Sequence, residues 1–439
     1  MSDTAQPYID LFPLPRAARE VLARLRDAGY EAYLVGGCVR DFLRGVTPHD
    51  YDLTTSATPA DMQRVFAGYR LIETGIRHGT VTVLADGAPY EITTYRVDGD
   101  YHDSRHPDEV RFTASLREDA ARRDFTVNAI AYHPDEGIHD FFGGEADIRA
   151  RLIRAVGDPR RRFEEDALRI LRALRFAATL GFSVEEETAA AAREKAPLLK
   201  NISAERIKEE LTKLLLGDNA EEVLCAFYPV LATVLPDWYR KLTADGRPPK
   251  ESVARLAAWL THTPKNPVSR YMVFFSPFVR SEDAAAQMDA LRFDHRTRDR
   301  VAKLLSHRND PCRADKKAAR RFLSGLGGQD AQLLLDIRRA ACLAKGERGQ
   351  AEKIALAKAV VRALVDEEGE CSSVSDLCIR GQDLFALGIA PGKELGLCLH
   401  ALLDAVVAGR VKNEKQALLT YATKNIICNV KKENENEQH

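Results

Sequence analysis

Leu34-Val-Gly-Gly-Cys-Val-Arg-Asp-Phe-Leu-Arg-Gly45, with His49-Asp-Tyr-Asp-Leu-Thr-Thr55 close behind it, sets the reading of this chain. An apolar strand over Ala32–Val35 runs into Gly36-Gly37, and a helical pattern follows over Val39–Leu43. Paired glycines let a backbone approach phosphates, and a helix start offers N–H groups to them. Asp50 and Asp52 lie two apart in what reads as a strand over 51–55, so both carboxylates share one face. Such a pair can hold Mg²⁺ against a nucleoside triphosphate and stabilise the attacking and leaving oxygens. Alone, Asp-x-Asp reads equally as a solvated turn. Joined to the Gly-Gly turn and Val39-Arg40-Asp41, it reads as a nucleotidyl-transfer site. Arg40, one turn into the helix, can reach the phosphates; a surface arginine paired with Asp41 is the plainer alternative.

Working outward, 439 residues exceed one hydrophobic core. Up to about 150 the chain alternates helix and strand signals, with strands at 32–35, 51–55, 80–84, 90–95, 129–132 and 138–141. This predicts an α/β domain of mixed-sheet type. From about 160 the pattern turns helical, beginning with one helix over Glu164–Leu180, and nothing later reads as a strand. No run of about 18 apolar residues occurs, which predicts no membrane span. The first residues have neither a basic start nor an apolar core, which argues against secretion. Eight cysteines are scattered without a CxxC pair, against a structural zinc and for reduced thiols in the cytoplasm. Net charge is −1, so only local clusters bear on nucleic acid. Arg160–Arg162, Lys316-Lys317 with Arg320-Arg321, and Arg338-Arg339 either track phosphates or are solvated helix faces.

Two later blocks carry further chemistry. Arg122-Arg123-Asp124-Phe-Thr-Val-Asn128 resembles, by itself, an ordinary helix start. In Glu165-Asp166-Ala-Leu-Arg169-Ile-Leu-Arg172-Ala-Leu-Arg175 the polar residues recur every third position and drift slowly around a helix, beside a leucine stripe. The default is a salt-bridged surface. Yet a carboxylate only accepts and a guanidinium only donates. One Asp and one Arg can therefore match the amino donor and ring-nitrogen acceptor that cytosine and adenine share.

Taken together and in order, these blocks resemble the class II tRNA nucleotidyltransferase and bacterial poly(A) polymerase family, within the polymerase-β-like superfamily. The resemblance is strong to about 215, weak over about 240–370 and moderate to about 424. It implies an α/β nucleotidyltransferase head at 1–155, then an all-α neck at 156–217, body at 218–325 and tRNA-binding tail at 326–430, with a frayed terminus at 431–439. It implies Asp50 and Asp52 as Mg²⁺ ligands and catalytic residues, with attack of an RNA 3′-hydroxyl on the α-phosphate and release of pyrophosphate. Gly36, Gly37, Arg40 and Arg123 would contact the nucleotide. Asp166 and Arg169 would select CTP and ATP, assisted by Arg172 and Arg175.

Glu91 is a candidate third carboxylate or a strand-edge glutamate. Asp140 with Gly143-Gly144 matches a family hinge motif or is a plain turn. The polar segment 96–110 matches a loop needed for the final A, and Glu73–Val83 matches the CCA-adding form rather than poly(A) polymerase. The expected activity is template-independent addition of CCA to tRNA, with A-only addition or poly(A) synthesis as alternatives. The expected partners are tRNA, CTP and ATP, with no membrane and no obligate protein partner evident.

Overall fold

The computed structural model describes residues 12–98, 110–367, 374–389, 391–407 and 410–427. The polar stretch 99–109 and the last nine residues, both singled out above, lie outside them. Contacts divide the chain into two compact units, Met1–Tyr239 and Arg240–His439.

The first unit holds eleven strands among its described residues: β1 Ala32–Val35, β2 Asp52–Thr55, β3 Arg70–Ile72, β4 Thr80–Ala85, β5 Ala88–Thr94, β6 Arg96–Asp98, β7 Val110–Phe112, β8 Ile130–His133, β9 Gly137–Asp140, β10 Leu152–Ile153 and β11 Ser183–Val184. Its helices are α1 Arg16–Asp27, α2 Gly37–Leu43, α3 Pro59–Val65, α4 Leu116–Ala121, α5 Gly144–Ala150, α6 Pro159–Glu165, α7 Leu168–Leu180, α8 Glu186–Lys195, α9 Ala204–Leu216 and α10 Ala220–Val234. Seven strands form one sheet in the order β3-β4-β5-β2-β1-β8-β9. Only β2 and β5 run parallel in it. This is the mixed α/β head that the alternating pattern predicts.

Every residue of β1 is buried because the strand sits between β2 and β8 and contacts α1 and α2. β4 buries Val81, Val83 and Ala85 alternately, the period-two signature of one covered face. α1 turns Ala17, Ala18, Val21, Leu22 and Leu25 inward, at the spacing of an amphipathic helix.

Three expectations are corrected. The second of the two aspartates opens β2, so Asp50 lies before the strand rather than in it. Strand structure does occur after 155: β11 pairs in parallel with β10. The helix expected over Glu164–Leu180 is two helices, α6 and α7, broken at Asp166 (φ −140°, ψ 103°). Asp166 Oδ1 accepts the Leu168 N–H at 3.0 Å. Short carboxylates compete with helix bonds in this way, which makes them good caps and poor interior residues. The flanks of the 99–109 stretch, β6 and β7, pair antiparallel.

One buried histidine gives the head a pH response. His133 is 3% exposed, its Nδ1 accepts the Asp135 N–H at 3.1 Å, and Arg26 stands 3.4 Å away. Burial, then Arg26, lowers its pKa to about 4 from 6.5. The unfolded chain takes up this proton near 6.5, so the contribution to stability is complete above that value. It is lost as pH falls towards 4, by up to about 3 kcal/mol. Urea midpoints should decline across this window in the parent, and His133→Asn should flatten that slope.

In the second unit the described helices are α11 Pro236–Leu242 (which starts in the first unit), α12 Pro249–His262, α13 Pro267–Phe274, α14 Ser281–Ala290, α15 His295–Ser306, α16 Lys316–Leu326, α17 Gly328–Ala344, α18 Arg348–Glu367, α19 Gly381–Phe385, α20 Lys393–Val407 and α21 Lys415–Tyr421. Trp259 on α12 donates its indole N–H to the Ile337 carbonyl of α17 at 2.8 Å. Leu377, Leu384, Leu402 and Leu418 share a small core near the end of the chain. Asn413 clamps that end, donating to the Asp376 carbonyl at 2.8 Å and accepting the Cys378 N–H at 2.9 Å. No helix of the described residues is long and apolar enough to cross a membrane.

Candidate active site

Gly36 sits at φ 75°, ψ −127°, a backbone conformation that glycine adopts freely. α2 starts immediately after it without a side-chain cap. A Cβ on Gly36 would lie 3.4 Å from the Arg123 guanidinium, and one on Gly37 would lie 3.7 Å from that of Arg40. The turn is therefore walled by two cations, which is how a short sequence makes a pocket for anionic oxygen.

Val35 and Asp52 are register partners across β1 and β2, so the turn and the aspartate lie at the same end of the sheet. Leu53 pairs with Ile92 of β5, which brings Glu91 level with Asp52. Asp52 is open to solvent on one side, yet its carboxyl is pushed up to about 6. Desolvation by the surrounding protein is the largest cause, then the charges of Asp50 and Glu91, against a lowering by Arg123. The charges of Asp50 and Glu91 thus both bear on the Asp52 carboxylate.

Among the described residues no three His, Cys, Asp or Glu side chains are gathered tightly enough to enclose a metal ion unaided. Two carboxylates completed by phosphate oxygens are what a hard divalent cation takes. The mutual repulsion at Asp52 is what such an ion relieves, so the donor set fits it.

Arg123 is held by Asp119, whose fully buried carboxylate accepts from Arg123 at 3.2 Å, Arg122 at 2.9 Å and the Thr54 hydroxyl at 3.1 Å. Burial alone would raise Asp119, but the two arginines and Thr54 outweigh it and hold the carboxyl low. Asp119 was not singled out from sequence, although its spacing to both arginines on one helical stretch was available.

Asp124 and Asn128 join the remaining motifs. Asp124 Oδ2 accepts from Arg172 Nε at 2.8 Å and Nη2 at 2.6 Å. Its Oδ1 accepts the Phe125 N–H and the Asn128 amide. Asn128 Oδ1 in turn accepts from Arg40 at 2.7 Å. Arg40 also chelates Asp41 through two bonds of 3.0 Å and is buried rather than on the surface. The guanidinium carbons of Arg40, Arg172 and Arg175 lie 5.3, 5.4 and 3.8 Å from the ring centroid of Phe176, distances that suit cation–π attraction. Arg175 also approaches Glu210 to 2.6 Å, as an ion pair without hydrogen-bond alignment.

Asp166 and Arg169 flank the helix break. Asp166 Oδ2 accepts from Arg206 at 3.0 Å. Arg169 is buried and donates to Glu165 at 2.8 Å and to the Arg122 carbonyl at 3.0 Å. The two are fixed from separate elements rather than from one helical stripe. Arg160, Arg161 and Arg162 are paired with Glu194 and Glu165, the salt-bridged-face reading of that cluster. Asp140 caps α5, accepting N–H groups of Phe142, Gly144 and Glu145. A Cβ on Gly144 would lie 2.2 Å from the Thr126 carbonyl oxygen, so this turn presses on the Arg122–Asn128 segment.

Residues 32–154 match the Poly A polymerase head domain, 181–227 an RNA and SrmB-binding site of polymerase A, and 278–422 tRNA nucleotidyltransferase domain 2. The chain is 36% identical to the CCA-adding enzyme of Limosilactobacillus fermentum, covering 92% of this chain and 96% of that one. The CCA-adding enzyme of Lactobacillus delbrueckii subsp. bulgaricus is 38% identical, at 92% and 96% coverage. The chain belongs to the class II CCA-adding enzyme family. The crystal structure of the Bacillus stearothermophilus CCA-adding enzyme in complex with CTP superposes with a TM-score of 0.74 at 29% identity, over 98% of this chain and all of that one. CCA-adding enzymes are nucleotidyltransferases of tRNA processing, and enzymes of this kind use divalent metal ions. The α/β head followed by helices is the architecture of this family.

Proposed function

We propose that this enzyme appends C, C and A in turn to tRNA 3′ ends in the cytoplasm, drawing on CTP and ATP, with Mg²⁺ held by Asp50 and Asp52. The observation that carries this is the crowding of Asp52 by Asp50 and Glu91 at the mouth of the Gly36-Gly37 turn. Bound there, Mg²⁺ would lower the pKa of the RNA 3′-hydroxyl and neutralise the pyrophosphate leaving group. Arg123, braced by Asp119, neutralises triphosphate oxygens beside Gly36. Arg172 and Arg175, oriented by Asp124, Glu210 and the Phe176 ring, supply further positive charge. In this reading 1–155 is the catalytic head, 156–217 the neck, 218–325 the body and 326–430 the tail that holds tRNA.

Base selection rests on Asp166 and Arg169. A carboxylate offers about four acceptor positions; the Leu168 N–H and Arg206 occupy two at Asp166, leaving room for a base amino group. Asp166→Asn keeps the cap but puts a donor where only acceptors stood. Preference for CTP and ATP over UTP and GTP should fall by roughly tenfold or more, measured as single-turnover incorporation of each nucleotide. Undiminished preference would remove Asp166 from the selecting pair.

The reading as a whole is tested with transcripts ending at the discriminator base, at C and at CC, given CTP, ATP or both with Mg²⁺. Ordered growth to CCA and then arrest is expected. Extension of the CC-ended transcript alone would make the chain an A-adding enzyme, and a long ladder with ATP would make it a poly(A) polymerase.

A further inference from the structure

The second unit contains a cavity of about 370 Å³ lined by none of the candidate active-site residues. α12 faces it with Ser252, Arg255, Leu256 and Trp259, positions that follow one helix face. The end of α17 closes the far side with Ala341, Ala344 and Lys345, and Lys241 and Asp245 stand at a third edge.

Three properties point to a ligand. The half-buried Trp259 ring is fixed in the wall by its bond to Ile337, which leaves a rigid aromatic surface. The Ser252 hydroxyl is buried, on a residue only 5% exposed, and has no hydrogen-bond partner; buried polar groups are normally satisfied. The charge is one-sided: Lys241, Arg255 and Lys345 face a single lining carboxylate. That carboxylate, Asp245, is 4.0 Å from Arg255 and is shared with Arg247 at 3.5 Å. Lys241 is 3.8 Å from Asp283. The Lys345 ammonium has no ion pair or hydrogen bond among the described residues.

A simple anion has no use for the Leu256–Trp259 wall, and an apolar ligand has none for the cations. We propose that this cavity binds a nucleoside phosphate, its base against Trp259 and Leu256 and its phosphate between Arg255 and Lys345. A cavity of this size is within the range of small-molecule sites, and base–aromatic stacking tolerates any base. The nucleotide is either free in solution or one unit of a bound RNA.

The chain has two tryptophans, so Trp238→Phe leaves Trp259 as the reporter in the full-length protein. AMP, CMP, inorganic phosphate and a tRNA transcript are titrated against its emission. A saturable change with AMP or CMP is expected, with affinity at least tenfold weaker in Arg255→Ala/Lys345→Ala. A change produced by the transcript but not by mononucleotides, and lost in the same double variant, supports the site with RNA as the source. Equal affinity for phosphate and AMP would overturn the role of the base wall. Because Trp238 is itself buried, equilibrium dialysis of labelled AMP on the parent chain gives a second readout. The parent should bind one AMP more than Arg255→Ala/Lys345→Ala. Identical stoichiometry in both, with no Trp259 response to nucleotide or transcript, overturns the proposal. Neither readout depends on CCA addition, so each stands or fails separately from the head's activity.

Discussion

Asp52→Asn should lower nucleotide incorporation by about a thousandfold or more while leaving the thermal midpoint unchanged or higher. The two effects have one cause. The carboxylate of Asp52 is raised to about 6 because desolvation and the charges of Asp50 and Glu91 oppose its ionisation. A neutral amide of the same shape removes that opposition, and with it the charge that a metal ion and a triphosphate require. Functional sites commonly hold such unfavourable arrangements at some cost to stability. Single-turnover incorporation and a melting curve on the same preparation decide the matter. A variant that loses activity together with several degrees of stability would show Asp52 to be a structural residue.

The second large effect is on stability. Asp124→Asn should cost about 2–4 kcal/mol. Breaking one partner of a buried pair sits at the upper end of that range, reduced here because Arg172 keeps about a third of its side chain in water. Asp124 accepts four hydrogen bonds, two on each oxygen, so an amide must turn its NH₂ towards existing donors whichever way it is placed. Burial alone would raise this carboxyl, but Arg172 and Asn128 overcome it and hold it at about 2, against an ordinary 3.8. The stabilisation is therefore complete above about pH 4 and is lost as pH falls through about 2. Urea midpoints at neutral pH should fall in the variant. The nucleotide KM should rise as well, because Arg172 loses its orienting partner. An unchanged midpoint would mean that Arg172 finds another anion.

What could be read in advance follows from range. The Gly36-Gly37 turn, the buried β1 strand and the alternation of β4 are local patterns, and each folds as its spacing predicts. The break at Asp166 is local too, but leucines at 168, 171 and 174 continue a helical stripe strongly enough to hide a carboxylate that prefers to cap. The brace around the arginines is not local. Asn128 meets Arg40 across 88 residues and Arg172 meets Asp124 across 48. Phe176 gathers three guanidinium groups. Nothing in the spacing of these residues discloses those partners until the helices are packed. The motifs therefore named residues that the fold brings together, whereas the ion pairs and hydrogen bonds that brace them were not legible.

The break between α6 and α7 also bears on how this enzyme can change over generations. One codon, that of residue 166, serves two tasks: its side chain terminates a backbone irregularity through the Leu168 N–H, and it is the proposed reader of the incoming base. Mutational routes to a different nucleotide preference are confined to residues that still accept a hydrogen bond on a short stem, namely Asn, Ser and Thr. Larger or apolar replacements disturb the start of the helix that carries Arg169, Arg172 and Arg175, before any new preference can be selected. Libraries aimed at new terminal sequences would do better to leave residue 166 within that small set and diversify Arg206, which shares its carboxylate.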